Sequence, residues 1–266
     1  MMSTKEVAVQ QQGGALAMPS GVMAALAAEA KEAAAKERPA VGIFSTQSGV
    51  LSYSGTPVPG NKVEVVVLAA AFRNVFYAGK FDRNNIVPPN CFSLSEDDKD
   101  MAPHENVAEP VHPTCDGCPN DAWGSDPNGG RGKACKQSRR LVMLPADCVD
   151  KDEAAIMQAE FAKMDIPVTS VKNYSSFVNV LSATAGVPPY AAVTEISVVP
   201  DLKTQFKVVF RPMRVLPTEA ALNAVRKRMG AAVALSTEPY EETATAASAA
   251  AAAAAAAPAS SKGKKF

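Results

Sequence analysis

The chain of 266 residues carries 27 Lys and Arg against 27 Asp and Glu, so its formal net charge is zero. Neutrality gives no support to a globally basic nucleic-acid binder and does not exclude one, since local charge decides binding. No apolar run approaches the roughly 20 residues of a membrane span, and the N-terminus lacks the apolar core and cleavage site of a secretory signal. A soluble protein in the reducing cytoplasm is expected.

Residues 1–19 are polar and rich in Gln and Gly, and are expected to be disordered. Ser20 caps a predicted Ala-rich helix with a thin apolar stripe of Val22, Met23 and Leu26, and Pro39 ends it. Segment 1–39 thus reads as a spacer, and residues 40–232 as one globular domain of the usual size. From Val41 the pattern becomes strand-like, in runs at 41–46, 49–53, 63–72 and 75–81, with a hairpin turn expected at Asn74. A further strand is predicted over 140–144.

Asp150 opens a predicted helix through about Met164, with Met157, Phe161 and Met164 on one face. A second helix starts at Thr169 or Ser170 and carries Tyr174, Phe177, Val178 and Leu181 at helical spacing. Strands follow at 191–199 and 204–211, the latter with Phe206, Val208 and Phe210 on one face and Lys207 and Arg211 on the other. A last helix is predicted from Pro217 or Thr218 to Gly230. Residues 233–266 read as an Ala-rich tail, disordered from about Thr237. The fold class expected is mainly β (α+β): a partly open, OB-like barrel with inserted helices and a cysteine-rich metal-binding loop. An α+β sandwich is the alternative.

The strongest chemical signal is the insertion 88–140. It holds four of the five cysteines: Cys91, Cys115, Cys118 and Cys135. Two thiols separated by two residues, with two single thiols further off, match the ligand count of a tetrahedral structural zinc site. The intervening Pro, Gly, Asn and Asp make turns, and a long loop without a core is commonly held by a metal. Alternatives are an iron–sulfur cluster, disulfides, or His104 or His112 in place of one thiol. Cys148, after the strand-like Arg140–Leu144, reads as a small buried hydrophobe.

Basic residues are segregated, at 131–140 and 203–228, whereas acids collect at 96–100 and 147–153. Cations that track phosphates and rings that stack on bases suit single-stranded nucleic acid. The candidate binding residues are Tyr77, Lys80, Trp123, Lys133, Lys136, Arg139, Arg140, Lys207 and Arg211, with Tyr53, Phe76 and Phe81 as further stacking candidates. Most aromatics, Phe161, Phe177, Phe206 and Phe210 among them, are expected in the core.

The pieces P-P-N-C-F-S at 88–93, C-D-G-C-P-N at 115–120, W-G-S at 123–125 and G-K-A-C-K-Q-S-R-R-L at 132–141 resemble a family of phage and prophage proteins with four cysteines. T-S-V-K-N-Y at 169–174 and T-E-I-S at 194–197 extend the resemblance, which covers roughly 41–216. It implies a protein of phage DNA replication or recombination, with single-stranded DNA binding foremost, partnered by DNA, by other replication or recombination proteins, and by further copies of the chain. The chain departs from many single-strand binders by ending in Lys262, Lys264, Lys265 and Phe266 rather than an acidic tip.

An enzyme, such as a metal-dependent nuclease, is the competing class. The zinc-deaminase signature fails, because His104-Glu105 lacks the intervening residue and Pro113 stands one place too far from Cys115. Phosphate-loop, nucleophile-elbow and zincin motifs are missing. Four thiolates around a metal leave no open position for water, which favours a structural site and no catalysis. A virion-associated structural protein is the third reading.

Overall fold

The structure of the protein, a computed structural model, describes Leu26, Glu29 and residues 41–79, 87–127 and 129–240. Chain contacts separate Met1–Ala40 from Val41–Phe266. Leu26 and Glu29 are helical. The rest of the N-terminal helix expected from Ser20, and the tail beyond Tyr240, lie outside the described residues.

The sheet is organised around one long strand. The strands are β1 (Gly42–Ser45), β2 (Ser52–Tyr53), β3 (Thr56–Pro57), β4 (Lys62–Phe76), β5 (Cys91–Ser95), β6 (Lys136–Pro145), β7 (Ala162–Ile166), β8 (Ala192–Asp201) and β9 (Gln205–Val215). They run in the order β3-β2-β1-β7-β6-β4-β8-β9, and β5 also pairs with β4. On one side β4 pairs with β6 along nearly its whole length. On the other its first half pairs with β8 and its second half with β5. All pairs are antiparallel except β1 with β7. A register shift between Val67 and Ala69 inserts Leu68 as a bulge, the kind of irregularity that bends a strand and strengthens its twist. The resulting sheet is strongly curled, an open half-barrel in a mainly β fold with few helices.

Both sheet faces are buried. Val65, Val67, Leu141, Met143, Met164 and Ile196 share one face with Tyr174, Phe177 and Leu181 of α2 (Val171–Ala185). Val66, Leu68, Val142, Leu144 and Val193 share the other with Ile156 of α1 (Glu153–Gln158) and Ala221, Ala224 and Val225 of α3 (Glu219–Ser236). Each large aliphatic removed from water contributes about 1.5–3 kcal/mol, so β4 and β6, apolar on both sides, are the centre of stability. The N-caps follow side-chain chemistry: Asp152 accepts from Ala155 N and Thr218 from Ala221 N. Among the described residues no helix is long and apolar enough to cross a membrane.

Three expected boundaries differ. Asn74 makes no hairpin turn; it is buried inside β4, paired with Ser93 on one side and Gln137 on the other. The helix from Asp150 stops at Gln158, and Ala162–Ile166 is a strand, because Ala162, Met164 and Ile166 face the core while Lys163 and Asp165 face away. Finally, α3 runs through Gly230 to Ser236, and Glu238–Tyr240 continue across the sheet rather than leaving it.

Candidate nucleic-acid interface and thiol site

The chain between β5 and β6 forms a lobe held by its own backbone. Cys115 N donates to Met101 O at 2.8 Å, Cys118 N to Cys115 O at 3.3 Å and Cys135 N to Asn120 O at 2.8 Å. Gly117, at φ +73°, makes the left-handed step that returns Cys118 toward Cys115. Ser125 ties the two arms, its hydroxyl donating to Asn120 O and accepting from Ala134 N.

These constraints bring Cys91, Cys115, Cys118 and Cys135 to the wall of one cavity of about 20 Å³, together with Asn74, Phe92 and His112. All four thiols are free. Burial pushes the Cys135 thiol up to about 12, and the neighbouring thiolates and Asp121 add to the rise. Cys91 is raised as well, first by burial. Among the described residues, however, no group of three or more His, Cys, Asp or Glu is arranged to hold a metal ion. His112 reaches the same cavity, with Nδ1 2.8 Å from Thr114 O, whereas His104 stacks on Phe92 at 5.0 Å.

The candidate nucleic-acid residues fall into three places. Trp123, Lys133 and Lys136 stand on the lobe. Trp123 is 79% exposed, with the Lys133 ammonium 5.3 Å from its ring centre. Lys133 also pairs with Asp121 and Lys136 with Asp126. Lys207 and Arg211 lie on the β8–β9 ribbon, paired with Asp201 and Glu195.

Arg139 and Arg140, adjacent in a strand, point to opposite faces. Arg139 lies over the Phe72 ring at 3.4 Å. Arg140 is only 7% exposed, and its guanidinium donates to Asp165 at 3.0 Å and to Glu238 O at 2.7 Å. Lys80 and Phe81 lie outside the described residues. Tyr53 packs on Phe44 at 4.9 Å, and Phe76 lines the thiol cavity.

Around Arg140 the structure assembles a group that sequence spacing did not reveal. Arg73 on β4, Arg140 on β6, and Lys163 and Asp165 on β7 stand side by side, because those strands are neighbours. Asp165 bridges Arg73 and Arg140. Tyr77 belongs to the same electrostatic neighbourhood, its phenol raised mainly by burial and lowered in part by Arg73. Tyr240 crosses both guanidiniums, 5.5 Å from Arg73 and 5.3 Å from Arg140. The one available signal was Tyr240 itself, an aromatic within the segment read as an Ala-rich tail.

No protein-family model, curated protein or solved structure matches the chain.

Proposed function

We propose that the chain binds single-stranded DNA, on an OB-like, partly open barrel, in phage DNA replication or recombination. The observation that carries this reading is Trp123. An indole exposed over most of its surface on a turn-built lobe stabilises no core, and with a lysine ammonium over its ring it offers a base a flat, cation-backed surface. The curled sheet adds a second cationic group, Arg73 and Arg140, with the Tyr77 phenol in the field of Arg73, so that a strand has more than one point of contact.

Cys91, Cys115, Cys118 and Cys135 would hold one zinc ion, which would fix the lobe and with it the direction of Trp123. A cavity of about 20 Å³ has room for a body near the size of one water, which suits a single ion better than an iron–sulfur cluster. Four thiolates would complete the coordination sphere and give the ion a structural role.

The test is a fluorescence titration with labelled oligothymidylate at low and moderate salt. Affinity should fall steeply with salt, as counterion release requires. Trp123→Ala should weaken binding by about 1–3 kcal/mol, the usual worth of one stacked base, with the melting temperature unchanged. Absence of binding at low salt would end the proposal. Equal binding by Trp123→Ala would remove the lobe from the interface.

A further inference from the structure

The segment Glu238–Tyr240 lies on the Arg73–Arg140–Lys163 group in a way that packing alone does not require. The Tyr240 hydroxyl accepts from Arg73 Nε at 2.5 Å, while its ring lies near both guanidiniums and meets Phe92 edge-on at 5.0 Å. The Glu238 carboxylate pairs with Lys163 at 2.8 Å, and the Glu238 carbonyl accepts from Arg140 at 2.7 Å. A flat ring by guanidiniums, an anion on an ammonium and an acceptor oxygen on an arginine are the three contacts that a base with its neighbouring phosphate would make.

Beside the segment opens a cavity of about 610 Å³, walled by Phe44, Phe206, Tyr240, Arg140 and Lys163 and reaching Ser45 and Thr46. That volume lies within the range of small-molecule and nucleotide sites. We infer that this face is a binding site for a base-plus-phosphate unit of a single strand, and that Glu238 and Tyr240 occupy it in the free chain and leave when the strand enters. The inference rests on the single-strand reading above.

The charges agree. With the segment in place, Arg73, Arg140 and Lys163 face two carboxylates, Asp165 and Glu238. Withdrawing Glu238 leaves the same three cations with Asp165 alone. Asp165 pairs with both arginines, at 3.3 Å and 3.0 Å, through contacts that do not involve the segment. Glu238 is 42% exposed, which makes its pair with Lys163 weak enough to exchange for a phosphate.

The test uses the full chain and oligothymidylate at fixed salt, comparing the parent with Glu238→Gln, Tyr240→Ala and Glu153→Gln. Glu153 pairs with Lys227 on the helical layer, so its variant removes the same charge away from the proposed site. Glu238→Gln and Tyr240→Ala should each bind about five- to tenfold tighter, because a site occupied by its own chain has its apparent affinity reduced by the occupied fraction. Glu153→Gln should bind like the parent, and Arg73→Ala in the Tyr240→Ala background should lose the gain.

Should Tyr240→Ala fail to fold, Glu238→Gln carries the test, since it removes only an exposed pair. If the parent binds and Glu238→Gln binds no tighter, the inference is overturned while the single-strand reading stands. An equal gain in Glu153→Gln would also overturn it, showing an effect of overall charge alone. No binding by the parent or by any variant would remove the reading and the inference together.

Discussion

The sheet and the thiol lobe are held by different physics. In the sheet, β4 and β6 alternate Val, Leu and Met into two apolar layers, with Leu141, Val142, Met143 and Leu144 fully out of water. In the lobe, residues 96–135, the regular structure described is one short turn at Pro119–Asp121, and the buried apolar side chains are Met101, Val107 and Ala134. An apolar core pays for ordering the first; the second has turns, a few backbone hydrogen bonds and four thiols on one cavity. A segment so poor in apolar burial does not offset its own conformational entropy. A cross-link would make up the difference, and the thiols are where one can form.

The largest effect should therefore come from the thiols. Structural zinc in small domains is worth about 10 kcal/mol or more. On the proposed zinc site, Cys115→Ser or Cys118→Ser should lower the metal content from one ion per chain to none, and should make the lobe sensitive to protease. The far-ultraviolet signal of the sheet should survive. One metal retained in both variants would rule out the ligand set. Loss of the sheet along with the lobe would erase the distinction between the two regions.

The next effect lies on the other side of the comparison. Leu141→Ala opens a cavity between β4, β7 and α2 and should cost about 2–5 kcal/mol, read as a lower denaturant midpoint for the whole chain at unchanged metal content. A metal loss as complete as in the cysteine variants would mean that lobe and sheet form one cooperative unit.

The same contrast governs what the sequence reveals. The cysteine spacing was legible because it is a local pattern; the structure places the four on one cavity, while among the described residues no group of three or more ligands is arranged to hold a metal ion. Helix α2 was legible from the spacing of Tyr174, Phe177 and Leu181. Asn74 was not, because its turn preference is overruled by pairing on both sides and by a buried contact of its amide with the Met101 sulfur at 3.6 Å. Met157, Phe161 and Met164 fit a helical face, but the alternation Ala162, Met164, Ile166 fits a strand better, and pairing with β1 and β6 decides. The group at Arg73, Arg140, Lys163 and Tyr240 was least legible. Its members come from four stretches of chain joined only by the strand order and by the exit of α3. Arg139 and Arg140 read as one basic pair, yet a strand sends them to opposite faces, one onto Phe72 and the other onto Asp165.

The smallest effect belongs to the tip of the β8–β9 ribbon, which neither core nor lobe supports. Asp201 accepts from the Thr204 hydroxyl at 2.8 Å, from the amides of Thr204 and Lys203, and from the Lys207 ammonium at 3.1 Å. The Thr204 hydroxyl and then Lys207 hold its carboxyl down at about 2, below the ordinary 3.8. A carboxyl depressed in the folded chain adds stability above its unfolded value and loses it as pH falls through the folded one. The turn should therefore loosen between about pH 4 and pH 2, as amide exchange at Lys203 and Thr204 would report. In Asp201→Asn those amides should exchange faster at neutral pH and show no further change across that window. A parent turn that stays protected at pH 2 would show that Gln205, in the left-handed region at φ +67°, and the β8–β9 ladder hold the tip without the carboxylate.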